Sequence, residues 1–528
     1  MNGEFDTRRR FLKSLGVCGA QAALGAFGLG AWMRRARASG HCTSASWGRI
    51  PGTVGGASGW TCDNHAGYKI LEIYLYAGAS HWETFWLPGA GMPNFSDYGM
   101  GTLPLSDLDW SANTGTFPCQ PVDIPPTHSD AQLFATDADG GNIYWGAPAR
   151  PLYRRSDILP RCRMVTQYHG FPPHEAAIPY ALSGLTLGNP RRAGTGAAVQ
   201  RRARVVTPGQ LLPVSYILHR NAGFGTNSAA ATGLHPGFSR PLVIRVRSNN
   251  AFYNSLSRTG ISAESDELLL ALRHEYRDRL RFRGAGQPVR SAGFEGYWVA
   301  AELLQDAPSM QSLFAGDLLV IDSGVATCPE HPAAAAGNAP AAKTMLHAAA
   351  SLLSSGPGRY VCVMDTGIAV TFDTHGDGTQ MHLLNTCANF YNVLHHLADV
   401  IHHPTENPSG VVDLDETMVV INSEFGRNPV INPNNGRHHW PWGYVTVLIG
   451  GPLSGGASIR GAIDASGYTK TAHRYSPTDV RGALLLATGI DPFAEGNFRF
   501  ADFSDTLKAG IATEAQIRER LRGWILGL

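Results

Sequence analysis

Six short apolar runs, rich in β-branched and aromatic side chains, constrain this chain more than any other feature. They are Ile70–Tyr76, Met164–Tyr168, Leu318–Ile321, Tyr360–Met364, Met418–Asn422 and Tyr444–Ile449. A strand with one face in water alternates apolar and polar residues. These runs are nearly continuous, so the sheet they predict is covered on both faces. Helical periodicity fills the intervals. Ser265–Arg281 carries Leu268, Leu269, Leu272, Tyr276 and Leu280 along one face, and Gln380–His402 does the same with Leu384, Cys387, Tyr391, Leu394 and Val400. Ser476-Pro477-Thr478-Asp479 opens a further helix with proline near its first turn, and Glu514–Leu528 closes the chain. Strand and helix in alternation predict an α/β domain with a mostly parallel central sheet. No internal repeat breaks the chain, and no linker composition appears after about residue 65. Residues 39–528 therefore read as one domain, with long loop insertions near 88–150 and 185–262 and a shorter one near 325–345. The 61 glycines and 33 prolines belong to those loops rather than to a helical bundle.

Residues 1–38 read differently. Thr7-Arg8-Arg9-Arg10-Phe11-Leu12-Lys13 has the twin-arginine export pattern, followed by a Gly/Ala-rich apolar segment from about Leu15 to Trp32. Ala36-Arg37-Ala38 supplies an A-x-A cleavage site. Arg34, Arg35 and Arg37 after the apolar run favour this route over the general one. The segment predicts a signal peptide handled by the twin-arginine translocase, and a periplasmic or secreted mature protein. Because that route exports folded proteins, it also favours a metal or cofactor seated before export. No later run reaches the roughly twenty apolar residues of a membrane span.

Charge narrows the partners. Residues 1–38 carry +5, which leaves −4 for the rest of a chain whose total is +1. A mildly acidic mature chain has no electrostatic footprint for nucleic acid. The five arginines between Arg191 and Arg204 read as a solvated loop. Seven cysteines lie beyond the signal, none in a C-x-x-C pair, which excludes a zinc–thiolate knot. Cys42 and Cys62 are placed to pair in an oxidising compartment. Cys362 and Cys387 fall in apolar patterns and read as buried thiols.

In open α/β sheets, ligands collect at the carboxyl ends of the strands, and four strand ends here carry unusual residues. "AGASHWETFW" brings Ser80, His81, Glu83 and Thr84, and "HGFPPHEAA" brings His169, His174 and Glu175. "MDTGIAVTFDTHGDG" carries Asp373 and His375 two apart, where an extended chain aims both at one side. "SEFGRNP" carries Glu424 and Arg427, and "NNGRHHWPWG" follows with His438 and His439. Carboxylate with imidazole is the donor mixture of a hard or borderline divalent ion. Bland readings stand beside this one. D-x-H is also a turn former, Glu424 and Arg427 could brace a loop by pairing with each other, and His81 could be a satisfied, half-buried histidine. His395, His396, His402 and His403 read as surface or helix-end residues, and His473 is a weaker candidate.

Taken in order, "GASHWETFW", "YHGFPPHEAAIPYALSG", "FDTHGDG", "LDETMVVINSEFGRNP", "NNGRHHWPWGYVTVLIGG" and "SPTDVRGALLLATGID" resemble the motifs of domain-of-unknown-function family 1501. These are twin-arginine-exported proteins assigned to the alkaline phosphatase-like superfamily. The resemblance implies an alkaline phosphatase-like three-layer sandwich holding one or two divalent metal ions at strand ends. It implies metal ligands at Glu83, His174, Asp373, His375, Glu424, His438 and His439. His438 stands where relatives keep an acid, and Trp86 where a second acidic residue often follows. Imidazole in place of carboxylate removes one negative charge and favours zinc.

The function so implied is metal-dependent hydrolysis of a small anionic ester (phosphate, phosphonate or sulfate). Arg427 would hold an ester oxygen, and Thr84 or Ser80 would serve as nucleophile. A non-catalytic periplasmic binding or assembly protein with a degenerate metal site is the alternative. Two other chemistries lack their motifs. Cys119-Gln120-Pro121-Val122-Asp123 has Asp where a formylglycine sulfatase needs Arg, and there is no G-x-S-x-G elbow for a serine esterase.

Overall fold

The structure is a computed structural model. It describes residues 68–89, 131–185, 194–196, 198–199, 214–218, 242–246, 262–284, 318–321, 339–354, 358–367, 371–375, 381–430, 432–434, 436–453, 456–471, 474–490, 492 and 513–527. The expected signal peptide, the Cys42–Cys62 pairing and His473 lie outside the described residues.

Eight strands form the main sheet: β1 (Lys69–Leu75), β2 (Cys162–Gln167), β3 (Val214–Leu218), β4 (Leu242–Arg245), β5 (Tyr360–Asp365), β6 (Thr417–Ser423), β7 (Tyr444–Gly450) and β8 (Ser458–Arg460). Their order is β8-β2-β7-β6-β1-β5-β3-β4. β1 lies between β5 and β6 and parallel to both, with Ile73 opposite Val363 and Ile421. β7 alone runs backwards, antiparallel to β2 and β6. The sheet is thus mostly parallel, as the unbroken apolar runs predict.

The helices are α1 (His174–Ser183), α2 (Ala263–Gly284), α3 (Ala339–Ser354), α4 (Met381–Val400), α5 (Pro477–Ala487) and α6 (Glu514–Glu519), which continues as a π-helical turn to Leu526. Alternate residues of β1 face opposite ways. Leu71, Ile73 and Leu75 pack with Met345 and Leu346 of α3 and with Phe390 and Leu394 of α4. Ile70 and Tyr74 pack with Ile178 of α1, Val480 and Leu484 of α5, and Leu521 and Ile525 of the closing turn. Helices therefore cover both faces of the sheet. Ser476 starts α5 with the reciprocal cap its sequence announces, its side chain accepting from the Asp479 amide while the Asp479 carboxylate accepts from its own.

A buried ion pair joins α5 to the sheet. Glu72 on β1 is 0% exposed and Arg481 is 2% exposed. Arg481 reaches both Glu72 oxygens, with Nη1 2.6 Å from Oε2. The Tyr360 hydroxyl donates to Oε2 at 2.6 Å and Asn422 Nδ2 to Oε1 at 3.3 Å, so the carboxylate is saturated.

Four expectations change. Leu318–Ile321 forms a turn and one bridging residue rather than a strand. The expected insertion at 185–262 contributes β3 and β4, two strands of the main sheet. β4 is the last strand in the order, and its described side chains alternate half-buried and buried instead of forming an apolar run. The apolar stripe of α2 points outward: Leu268 is 57%, Leu272 55% and Tyr276 61% exposed. Within the expected insertion at 88–150, Leu87–Pro88, Asn142–Trp145 and Gln132–Thr136 build a small separate sheet.

Candidate metal centre

Parallel strands deliver their carboxyl ends to one edge of the sheet, and the reversal of β7 delivers its amino end there too. Segments 76–86 after β1, 168–174 after β2, 424–427 after β6 and 437–443 before β7 therefore meet. A two-residue antiparallel pairing, Gly426 with Trp440 and Arg427 with His439, locks the last two together.

Asp373 stands at the centre. Its Oδ1 lies 2.7 Å from Arg427 Nη2, 2.9 Å from His375 Nε2 and 3.4 Å from His439 Nε2. Its Oδ2 faces His174 Nε2 at 3.6 Å, beyond a hydrogen bond. His375 Nε2 and His439 Nε2 are 3.0 Å apart. Ligand atoms of His174, Asp373 and His439 all lie within 4.8 Å of one another.

Neighbouring oxygens fix the imidazole tautomers. His174 Nδ1 lies 2.9 Å from Glu424 Oε1, and His439 Nδ1 lies 2.8 Å from the Pro172 carbonyl oxygen. Each oxygen accepts from Nδ1–H, which aims the two Nε2 atoms at Asp373. His174 Nε2 is buried and has no hydrogen-bond partner. An ion held at roughly 2.0–2.2 Å by four tetrahedral donors sets them about 3.3–3.6 Å apart. His439 Nε2 at 3.4 Å from Oδ1 and His174 Nε2 at 3.6 Å from Oδ2, one imidazole to each carboxylate oxygen, come close to that spacing, so the residues present fit a divalent ion.

Electrostatics agree with that donor set. Burial alone would raise the Asp373 carboxyl, but the neighbouring His174 and His439 rings and the Arg427 charge hold it well below the usual carboxylate range. Burial pulls His174 down, yet Asp373 and Glu424 outweigh it and raise it to about 9, so below that pH its Nε2 carries a proton that an entering ion would displace. Burial, aided by Arg427 and the other two histidines against Asp373, lowers His375 to about 4.

The remaining predicted residues take other places. Glu424 is 0% exposed, and its carboxylate serves His174 and the Ser423 hydroxyl. Arg427 pairs with Asp373 rather than with Glu424. Its other N–H groups donate to the carbonyls of Ala77, Gly78 and Arg437. That geometry requires Gly78, whose φ is +82° and whose absent Cβ would lie 2.4 Å from the Phe425 ring. His438 is exposed at the rim, its Nδ1 3.3 Å from His375 Nδ1. Ser80 donates to Glu83 Oε2, and Thr84 is wholly buried with its hydroxyl unpartnered.

Glu83 stands apart from the ligand group. Its Oε1 is 2.9 Å from Arg437 Nη2 and 3.1 Å from His382 Nε2. Sequence reasoning missed His382 and gave Arg437 no role. Arg437 had a signal, since an arginine beside two expected ligands needs a carboxylate when buried. His382 had none, because its partners lie far away along the chain.

His81 is neither half-buried nor satisfied. It is 3% exposed, and both its ring nitrogens lack partners. Burial depresses it to about 3. The unfolded chain takes up the proton first, near pH 6.5, so the stability tied to neutral His81 is complete above that pH. It drains as pH falls from 6.5 toward 3, by about 1.4 kcal/mol per pH unit. His81→Leu should therefore flatten the loss of thermal stability between pH 7 and 5 relative to the parent. Parallel melting curves for the two proteins would refute this.

An α/β sandwich bearing a histidine–carboxylate cluster at its strand ends defines a protein with a metal-centre-like site. The chain matches the family described as "Protein of unknown function (DUF1501)" over residues 161–501, and it belongs to that family. No curated protein and no solved structure matches it. Among the described residues, no helix is long and apolar enough to cross a membrane.

Proposed function

We propose that this protein is a metal-dependent hydrolase of phosphate, phosphonate or sulfate esters, built on an alkaline phosphatase-like fold and exported through the twin-arginine route. One observation carries the reading: two imidazole Nε2 atoms, oriented by Glu424 and Pro172, converge on a carboxylate that a buried arginine keeps ionised. His174, Asp373 and His439 would hold the ion, with His375 beside them, and zinc suits this donor mixture. The ion supplies Lewis-acid polarisation of the ester.

The chain's own residues do the rest. Arg427, 0% exposed and with four of its N–H bonds donated within the protein, fixes Asp373 and keeps it ionised instead of gripping substrate. The exposed rim imidazole of His438 offers an N–H donor to an anionic ester oxygen. Ser80 is 1% and Thr84 0% exposed, so the attacking group in this reading is water rather than either hydroxyl.

Metal analysis of protein purified from its own host, with a screen of aryl phosphate, phosphonate and sulfate esters, tests the reading. We expect a bound divalent ion and turnover of at least one ester class. A protein without metal and without turnover after reconstitution would overturn it. Bound metal without turnover would favour the second reading, a binding or assembly protein. That reading draws on Trp86, a core residue 1% exposed where the resemblance expects an acid.

A further inference from the structure

We propose that Glu83, His382 and Arg437 are positioning residues, forming a buried brace that grips Thr374 and thereby aims Asp373 and His375. The inference rests on the metal-centre reading and assigns the middle residue of the D-T-H triplet a task. On an extended segment, the side chain of the central residue points away from its two neighbours. With Asp373 and His375 at the site, Thr374 faces the interior, where it is 5% exposed.

Two contacts hold it. The Thr374 hydroxyl meets His382 Nδ1, and the Thr374 carbonyl accepts from the Arg437 amide at 2.9 Å. Behind His382 stands Glu83. His382 Nε2 lies 3.1 Å from Glu83 Oε1 and 3.0 Å from Arg437 Nε, so both hold the outer edge of the ring while Nδ1 faces Thr374. Arg437 approaches the same oxygen with Nε and Nη2, both at 2.9 Å, and its Nη1 donates to the carbonyls of Asn428 and Pro429. The side chains of His382 and Arg437 are 0% exposed and that of Glu83 6%.

Each brace partner is thus fixed by another. Burial would raise the Glu83 carboxyl, but Arg437 and His382 hold it well below the usual range, so it stays an acceptor. The brace also ties three site segments together: 80–83, 373–375 and 428–437. Glu83, expected from sequence as a metal ligand, supports the ligands through Thr374 instead.

Cobalt titration of the whole protein, read by visible absorption, separates the two roles. Glu83→Gln removes the charge, and Thr374→Val removes only the hydroxyl. Losing an orienting partner typically weakens metal binding 10–100-fold. Both variants should therefore bind cobalt about 10–100-fold more weakly than the parent, with unchanged stoichiometry and band shape, while Thr374→Ser stays near the parent. A changed spectrum or a lost ion in Glu83→Gln would make Glu83 a ligand and overturn the brace. Unchanged affinity in Thr374→Val would overturn it as well. If the parent binds no cobalt, the metal reading itself fails. Hydrogen exchange over residues 371–375 then decides the brace: faster exchange in both variants upholds it, and parental exchange overturns it.

Discussion

Asp373→Asn should lose divalent metal affinity by more than about 100-fold, exceeding the effect of any orienting partner. Ester turnover should fall with it. The reason is geometric. Asp373 is the one carboxylate shared by His174, His375, His439 and Arg427. The amide still offers one oxygen to Arg427, so the fold keeps its shape while the site loses the charge that offsets a dication. Isothermal titration with zinc, beside an ester assay on the same samples, measures both effects. Parental affinity in the variant would remove Asp373 from the centre. A collapse of thermal stability to well below that of metal-free parent would instead mean that the Arg427 pair, not the ion, depends on this carboxylate.

The second large effect concerns stability alone. Arg481→Met leaves Glu72 charged and wholly buried at the middle of the sheet, with only Tyr360 and Asn422 as donors. Breaking a buried pair from one side costs about 3–5 kcal/mol. Replacing both partners by apolar residues of similar volume removes the uncompensated charge, so Glu72→Leu combined with Arg481→Met should recover most of that loss. Denaturant unfolding of the parent, both single variants and the double variant provides the cycle. A double variant as unstable as the worse single one would show that the pair's hydrogen bonds to Tyr360 and Asn422, rather than its charge balance, hold the layers together.

The sheet was legible where burial on both faces wrote itself into composition. β1, β2, β5, β6 and β7 all overlap the nearly continuous apolar runs, because a strand covered by helices on each side has little polar face to reveal. β3, flanked by β5 and β4, hid in the short "VSYIL" that Ser215 interrupts, and β4 escaped for the complementary reason. At an edge, "LVIR" buries Ile244 while Arg245 stays half-buried, and four such residues look like any loop. The run Leu318–Ile321 has the same local chemistry as a strand and forms a turn, so apolarity alone did not decide it.

At the site, residue types were legible and partners were not. D-x-H, E-F-G-R and the paired histidines marked segments that the structure brings together, since strand ends gather at one edge of the sheet. Which carboxylate faces an imidazole and which faces a guanidinium depends on contacts hundreds of residues apart along the chain. Glu83 with Arg437, 354 positions away, is one such case. Glu424 is another, expected beside Arg427 and found serving His174, 250 positions back. The chain's local order contains neither fact.

The backward run of β7 has a consequence of a different kind. Because β6 and β7 are adjacent and antiparallel, with Val447 opposite Ile421, everything between Glu424 and Gly443 is a single hairpin excursion. One wall of the pocket, carrying Arg427, Arg437, His438 and His439, leaves the sheet and returns to the neighbouring position without crossing any other strand. Such a wall can lengthen, shorten or exchange its tip while both anchors keep their register. Diversity among relatives in what the pocket admits is therefore expected to gather in this one excursion, as interchangeable tips on a constant frame.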